Sequence, residues 1–286
     1  MRDDIVKDIY IRKSGEIMHL YVISDFHIGS PAFSEEKFKE ANKLIVADKL
    51  ACTLFLGDTI DNDRPTTRLM RKQLFADRPD AQVDEDGQVY NFLDLKVIPM
   101  LRPLVKNCVG FMEGDHYREF INGLTSTQYI CSQLKTEYLG KGEAHIDLNF
   151  KPYGQSVRTI SINARHGRSA SPSLSGNVRK LENIMMGEEN FDIYFRGHSH
   201  NPYTVPFARY FRNKHDHRTE QKQGLLMNTC SFRLGKLQKT VDYAEEREYK
   251  ATSYFLSLVR FRLVINRGEK GQIEKEIKFD GELIYL

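Results

Sequence analysis

Short apolar runs that stop at Asp, His or Gly recur along this chain. Ile17 to Ser24 (IMHLYVIS) is nearly continuous and ends at Asp25, and Ala51 to Leu56 (ACTLFL) ends at Gly57-Asp58. Cys108 to Met112 leads to Gly114-Asp115-His116, and Phe191 to Phe195 (FDIYF) leads to Gly197-His198. Runs of this length without strict alternation read as strands covered on both faces of an α/β sheet. Ala144 to Leu148 and Arg158 to Ala164 alternate as strands, the second ending near His166. Ile9 to Ile11 is a weaker strand candidate before a turn at Ser14-Gly15. Gly224 to Cys230 and Tyr254 to Ile265 read as further strands. A turn at Asn266-Arg267-Gly268 leads to a last alternating stretch, Ile273 to Tyr285.

Helical spacing falls between these runs. Ser34 caps a helix with Glu35 and Glu36 in its first turn and apolar positions at Phe38, Ala41, Leu44, Ile45 and Ala47. Further helices are expected from Pro65 to about Ala76, from Asn91 to Val105, from Thr125 to Leu134 and from Asn177 to Met186. Residues 77–88 and the Ser/Gly-rich stretch 167–176 read as loops, and 203–223 as a long polar loop or hairpin. Strand, polar site, helix, strand, polar site is the order of an α/β fold. With no convincing linker, residues 1–286 are expected to form one domain.

Composition changes little. The chain has 286 residues, 28% charged, with a formal net charge of +3. That near-balance neither demands nor excludes a nucleic-acid partner. No apolar run approaches the roughly 18 residues of a membrane span, and the first residues lack a signal-like apolar core. Cys52, Cys108, Cys131 and Cys230 form no CxxC pair, so buried free thiols and a cytoplasmic location are expected.

Candidate chemistry gathers where the apolar runs stop. Five of the nine histidines fall in five short motifs: Asp25-Phe26-His27, Gly57-Asp58-Thr59-Ile60-Asp61, Gly114-Asp115-His116, His166-Gly167 and Gly197-His198-Ser199-His200. In extended backbone, residues two apart face the same side, so Asp25 with His27, and His198 with His200, could each reach one ion. The carboxyl ends of strands in α/β sheets converge on one crevice. Five such ends bringing carboxylates and imidazoles together could hold two divalent ions, with both oxygens of Asp58 available to bridge them. Oxygen and nitrogen donors without thiolate suit manganese first, with iron or zinc as alternatives, over calcium.

These motifs resemble the pattern of the calcineurin-like metallophosphoesterase superfamily: D-x-H, GD-x-x-D, GNH followed by an acid, an isolated His, and GH-x-H. The resemblance runs from about residue 19 to 232. It implies a four-layered α/β/β/α sandwich with mixed sheets and a two-metal phosphoester hydrolase working through a metal-bridging hydroxide. By position it implies that Asp25, His27, Asp58 and His200 hold one ion, and Asp58, Asp115, His166 and His198 the other. It gives His116 the role of contacting the phosphate and stabilising or protonating the leaving oxygen. The chain departs from the pattern at Asp115, where Asn is usual, and at Tyr117, where an acid is usual; Glu119 or Asp61 could orient His116 instead. The run Asn228 to Ser231 is similar to the superfamily's Asn-x-Gly-Ser segment, with Cys230 in place of Gly.

Other residues bear on the substrate. Asp61 is read as a support for the ligands or a helix cap. Arg168 and Ser169, just after His166, are candidates for phosphate contact. Arg209 and Arg212 lie in a basic-aromatic stretch (RYFRNK), a mixture that suits a phosphate backbone and stacked bases. Arg64, Arg68, Arg71, Lys72 and Arg78 make the helix after the second motif basic. Together they favour a phosphodiester in DNA, RNA or a nucleotide. The rivals are a phosphomonoesterase or protein phosphatase, and a non-catalytic binding module. Asn62-Asp63 after Asp61 departs from the Arg-Gly of protein phosphatases. His215-Asp216-His217 imitates a ligand motif inside a charged loop, and His19 and His145 lie in strand patterns where packing or hydrogen bonding explains them.

Overall fold

The computed structural model describes residues 5–10, 15–62, 65–75, 79–151, 158–167, 171, 173–188, 191–212, 219–229, 231–233, 254–267 and 273–286. Among these described residues, twelve strands form two sheets of six. One sheet runs β1 (Ile5–Ile9), β6 (Glu143–Phe150), β7 (Arg158–Arg165), β8 (Ile193–Arg196), β10 (Thr219–Asn228), β9 (Tyr203–Arg212). The other runs β12 (Ile273–Tyr285), β11 (Phe255–Arg267), β2 (Ile17–Ile23), β3 (Ala51–Phe55), β4 (Cys108–Glu113), β5 (Tyr138–Lys141). Both sheets are mixed. β2, β3, β4 and β5 are parallel neighbours, as are β7, β8 and β10, while β11 pairs antiparallel with β2 and β12.

The side-chain period of the strands sorts the core into layers. In β2, Leu20 and Val22 point between the sheets, where they join Leu54, Ile146, Ile162, Phe195 and Phe261. Tyr21 and Ile23 point the other way, under helix α1 (Glu35–Ala47), with Phe38 and Ile45. The same outer cluster takes Leu93, Val97 and Leu101 and, from α5 (Ser126–Leu134), Ile130. On the far side of the first sheet, α6 (Leu174–Gly187) sets Leu181 against Tyr194 and Leu226. Helix, sheet, sheet, helix is the expected four-layered arrangement, and it explains the apolar runs: strands covered on both faces have no polar side to show.

Local signals fix the helix ends. The Ser34 side chain accepts from the Lys37 amide, and Thr125 with Gln128 forms a capping box at α5. The expected loop at 77–88 is instead largely helix. α2 (Pro65–Phe75) is followed by α3 (Pro79–Phe92), a π-helical turn (Leu93–Val97), α4 (Ile98–Leu101) and a 3₁₀ turn (Arg102–Val105). The polar sequence of α3 hides it because ion pairs hold much of the helix. Glu85 pairs with Arg71, and Asp86 with the fully buried Arg118. α6 also begins earlier than Asn177, since Ser173 caps it by accepting from the Gly176 amide. The described residues of the 203–223 stretch follow the hairpin reading, with β9 and β10 antiparallel. The first strand lies at Ile5–Ile9, ahead of the expected run, and pairs in parallel with β6. β5 and its parallel pairing with β4 were not expected.

Candidate metal centre

β2, β3 and β4 of one sheet and β7, β8 and β10 of the other deliver their carboxyl ends to one place. The loops that follow carry Asp25 and His27, Asp58 and Asp61, Asp115 and His116, His166, and His198 and His200. The backbone at these loops is not extended, contrary to the spacing argument for Asp25 with His27 and for His198 with His200. Asp25, His27, Asp58, His198 and His200 all have φ between 49° and 65°. The left-handed region costs a non-glycine residue about 1–3 kcal/mol and persists where surrounding bonds over-determine it. Here the Asp25 amide donates to the Gly57 carbonyl at 3.1 Å, and the His27 amide to the Asp58 carbonyl at 2.9 Å. The His198 amide donates to Asp25 Oδ2 at 2.9 Å.

Glycine permits the close approach of these loops. A Cβ on Gly114 would stand 2.0 Å from Asp58 Oδ1, and one on Gly57 would stand 2.8 Å from His166 Nδ1. The gap closed by Gly114 lets two amides, Asp115 N at 2.6 Å and His116 N at 2.9 Å, bind Asp58 Oδ1. Asp58 therefore does not offer both oxygens, as the sequence suggested. Oδ2 alone faces the imidazoles, 3.2 Å from His166 Nε2 and 3.7 Å from His27 Nε2.

Each histidine is oriented by what its other nitrogen or its neighbours do. His166 Nδ1 lies 2.8 Å from the Leu56 carbonyl, which can only accept, so that nitrogen donates; Nε2 faces Asp58, and in the charged imidazolium it donates to Oδ2. His198 Nδ1 stands 3.3 Å from His166 Nε2 and 3.7 Å from Asp115 Oδ2. His200 Nε2 is 3.2 Å from Asp25 Oδ1. His116 Nδ1 is 2.7 Å from Asp61 Oδ1, so Asp61 is the partner that orients it.

The charges are those of a cation site. Asp25 and Asp58 are buried, which opposes ionisation. The imidazoles of His200 and His166 overcome this and hold both carboxyls well below the usual carboxylate range. Burial would lower the His166 imidazole, yet Asp58 beside it pushes it up to about 10. Burial keeps His27 below the ordinary histidine value. Both buried ring nitrogens of His27 have no hydrogen-bond partner, and buried Asp25 Oδ1 meets His200 Nε2 only as an ion-pair contact at 3.2 Å. Buried polar atoms nearly always have one, so these atoms fit a ligand role. Donor atoms of Asp25, Asp58, His166 and His198 lie within 4.8 Å of one another, as do those of Asp25, His27 and His200, and of His27, Asp58 and His116. Asp25 and Asp58 thus stand between the imidazole sets, and Asp115 sits at the edge beside His198.

The remaining candidates separate. Arg209 donates to the Phe191 carbonyl at 2.6 Å, near the start of β8 and at the opposite end of that strand from the cluster. Arg168 and Ser169, the Arg212 side chain, and His215 to His217 lie outside the described residues. His19 pairs with Asp48 at 2.5 Å on the flank of β2. Residues that sequence reasoning left without a role now have one. Asn228, at the end of β10, donates to Ser199 Oγ and the Asn201 carbonyl, both at 2.8 Å, and so braces the His198–His200 turn. Ser231 donates to the Asp25 carbonyl at 2.9 Å. Their similarity to the Asn-x-Gly-Ser segment was the signal, and it gave no bonding partner.

The four layers and the ordered motifs resemble those of calcineurin-like metallophosphoesterases. No family model matches the chain, and no curated protein matches it by sequence. Among solved structures, it is similar to Vps29 from Chaetomium thermophilum, with 12% identity, a TM-score of 0.40 and coverage of 94% of this chain and 98% of that one. It is similar to a single mutant of Vps29 from Entamoeba histolytica, with 14% identity, a TM-score of 0.39 and coverage of 93% and 99%. It is also similar to a putative 5'-nucleotidase from Staphylococcus aureus, with 12% identity, a TM-score of 0.38 and coverage of 94% of this chain and 54% of that one.

Proposed function

We propose that this chain is a two-metal-dependent phosphoester hydrolase acting on phosphodiesters of a nucleic acid or nucleotide. The observation that carries the reading is the facing of ionised Asp25 and Asp58 by imidazole nitrogens, with both buried ring nitrogens of His27 left without a hydrogen bond. The donors, Asp25, His27, Asp58, Asp115, His166, His198 and His200, are carboxylates and imidazoles only, which suits manganese first, with iron or zinc as alternatives. Two such ions, when bound, polarise phosphoryl oxygens and supply hydroxide near neutral pH.

The chain's own groups do the rest. Asp61 fixes the His116 ring through Nδ1, which leaves Nε2 as the nitrogen to offer a proton to the leaving oxygen. Asp58 Oδ1 fixes the backbone of the same loop through two amides, which sets His116 against the ligand cluster. The diester preference rests on the basic sequence of helix α2 and of the Arg209–Arg212 stretch; Arg68 itself is engaged with this loop's carbonyls and Arg71 with Glu85.

Hydrolysis of bis-p-nitrophenyl phosphate and p-nitrophenyl phosphate with manganese tests the reading. Wild type is expected to turn over the diester, and His116→Ala to lose about 10²–10⁴-fold in kcat while keeping its metal. Turnover of the monoester alone would move the assignment to a phosphomonoesterase. No turnover of either by metal-loaded protein would contradict the hydrolase reading.

A further inference from the structure

We infer that Arg68, on helix α2, is the positioning residue that locks the His116 loop, and that the α2–α3 hairpin exists in part to deliver it. Arg68 Nη1 donates to the Asp115 carbonyl at 2.8 Å and to the Tyr117 carbonyl at 3.0 Å. These are the carbonyls on either side of His116. The remaining backbone groups of His116 are also held: its amide by Asp58 Oδ1 at 2.9 Å, and its carbonyl by the Asn62 amide at 3.3 Å. Arg68 thus completes a hydrogen-bonded frame around the backbone of the proposed acid.

Tyr117 supports the same grip. The Arg68 guanidinium carbon sits 3.8 Å from the centre of the Tyr117 ring, a stacking contact that fixes the plane of the fork. Lys141 approaches that ring at 4.5 Å and donates to its hydroxyl. An acid at position 117 would offer no ring for the guanidinium to stack on, so the departure at Tyr117 and the presence of Arg68 belong together. The hairpin is itself anchored. Arg71 of α2 pairs with Glu85 of α3 at 2.5 Å, and Asp86 of α3 accepts from Arg118 Nε at 2.8 Å, one residue beyond Tyr117. The segment after the second motif therefore returns to the third motif's loop at two points, through Arg68 and through Asp86.

The test joins amide hydrogen exchange to kinetics, and only the kinetic arm rests on the hydrolase reading. In Arg68→Ala, exchange in a peptide covering 113–120 should quicken about tenfold or more while peptides from β2 and β3 stay unchanged. Bound manganese should be unaltered. The kcat for bis-p-nitrophenyl phosphate should fall by about 10²-fold with little change in KM, as expected for a displaced acid. Guanidinium at millimolar concentration, but not sodium, should recover part of both effects. Arg68→Lys keeps the charge and a donor nitrogen but lacks the planar guanidinium that lies on the Tyr117 ring, so it should fall between wild type and Arg68→Ala. Unchanged exchange at 113–120 in both variants would overturn the inference. So would exchange raised throughout the chain without recovery by guanidinium. If wild type shows no turnover, the hydrolase reading fails and the exchange result alone decides the role of Arg68.

Discussion

At the scale of single residues, the site is a set of groups whose protonation the fold dictates. Glu113, one residue before Gly114, is a case outside the ligand set. It is 1% exposed, its Oε2 accepts from the Thr125 hydroxyl at 2.8 Å and the Tyr138 hydroxyl at 2.6 Å, and its Oε1 is buried without a partner. Burial pushes its carboxyl up, and the two hydroxyls offset only part of this. A carboxyl whose folded value lies above its unfolded one binds more proton when folded, so stability is lost as pH rises through that window. Glu113→Gln, with no proton to lose, should be more stable than wild type at pH 7, and the difference should shrink towards pH 4. Urea midpoints of the two proteins across that range check this, and a constant difference would count against it. The ligands themselves were legible because Asp and His stood where apolar runs stopped. Their left-handed backbone was not, because it arises from bonds between loops more than thirty residues apart, such as Asp25 to Gly57. The division of labour between the two oxygens of Asp58 was hidden for the same reason.

At the scale of elements, strands and capped helices could be read and ion-paired helices could not. β2 and β3 lie within a residue of their apolar runs, and Ser34 and Thr125 announced α1 and α5. The first part of α3, up to residue 88, looked like a loop because its sequence (PDAQVDEDGQ) lacks an apolar stripe. Its helix is held largely through Glu85, Asp86 and a few apolar residues near its end. Buried charge of this kind is costly to leave half-paired. Arg118→Met should therefore strand the Asp86 carboxylate, which is 4% exposed, and lower stability by about 3–5 kcal/mol. A denaturant titration within about 1 kcal/mol of wild type would show that the pair does not hold α3 in place.

At the scale of the whole molecule, two sheets of different connectivity stack so that three parallel strands of each end in one crevice. The apolar core between them, from Leu20 and Leu54 to Phe195 and Phe261, makes the crevice rigid, and the loops above it bear the strain. Among the described residues, no helix is long and apolar enough to cross a membrane. Such a design ties ion binding to stability, since ions that bind only the folded chain at about 100 times their Kd add roughly 2.7 kcal/mol. The central claim, that the Asp/His cluster holds two divalent ions, is tested by calorimetric titration of manganese into chelator-stripped protein. Wild type should take up two equivalents. Asp58→Ala, lacking the oxygen that faces both His27 and His166, should take up at most one. No uptake by wild type, or two equivalents of unchanged affinity in Asp58→Ala, would contradict the account.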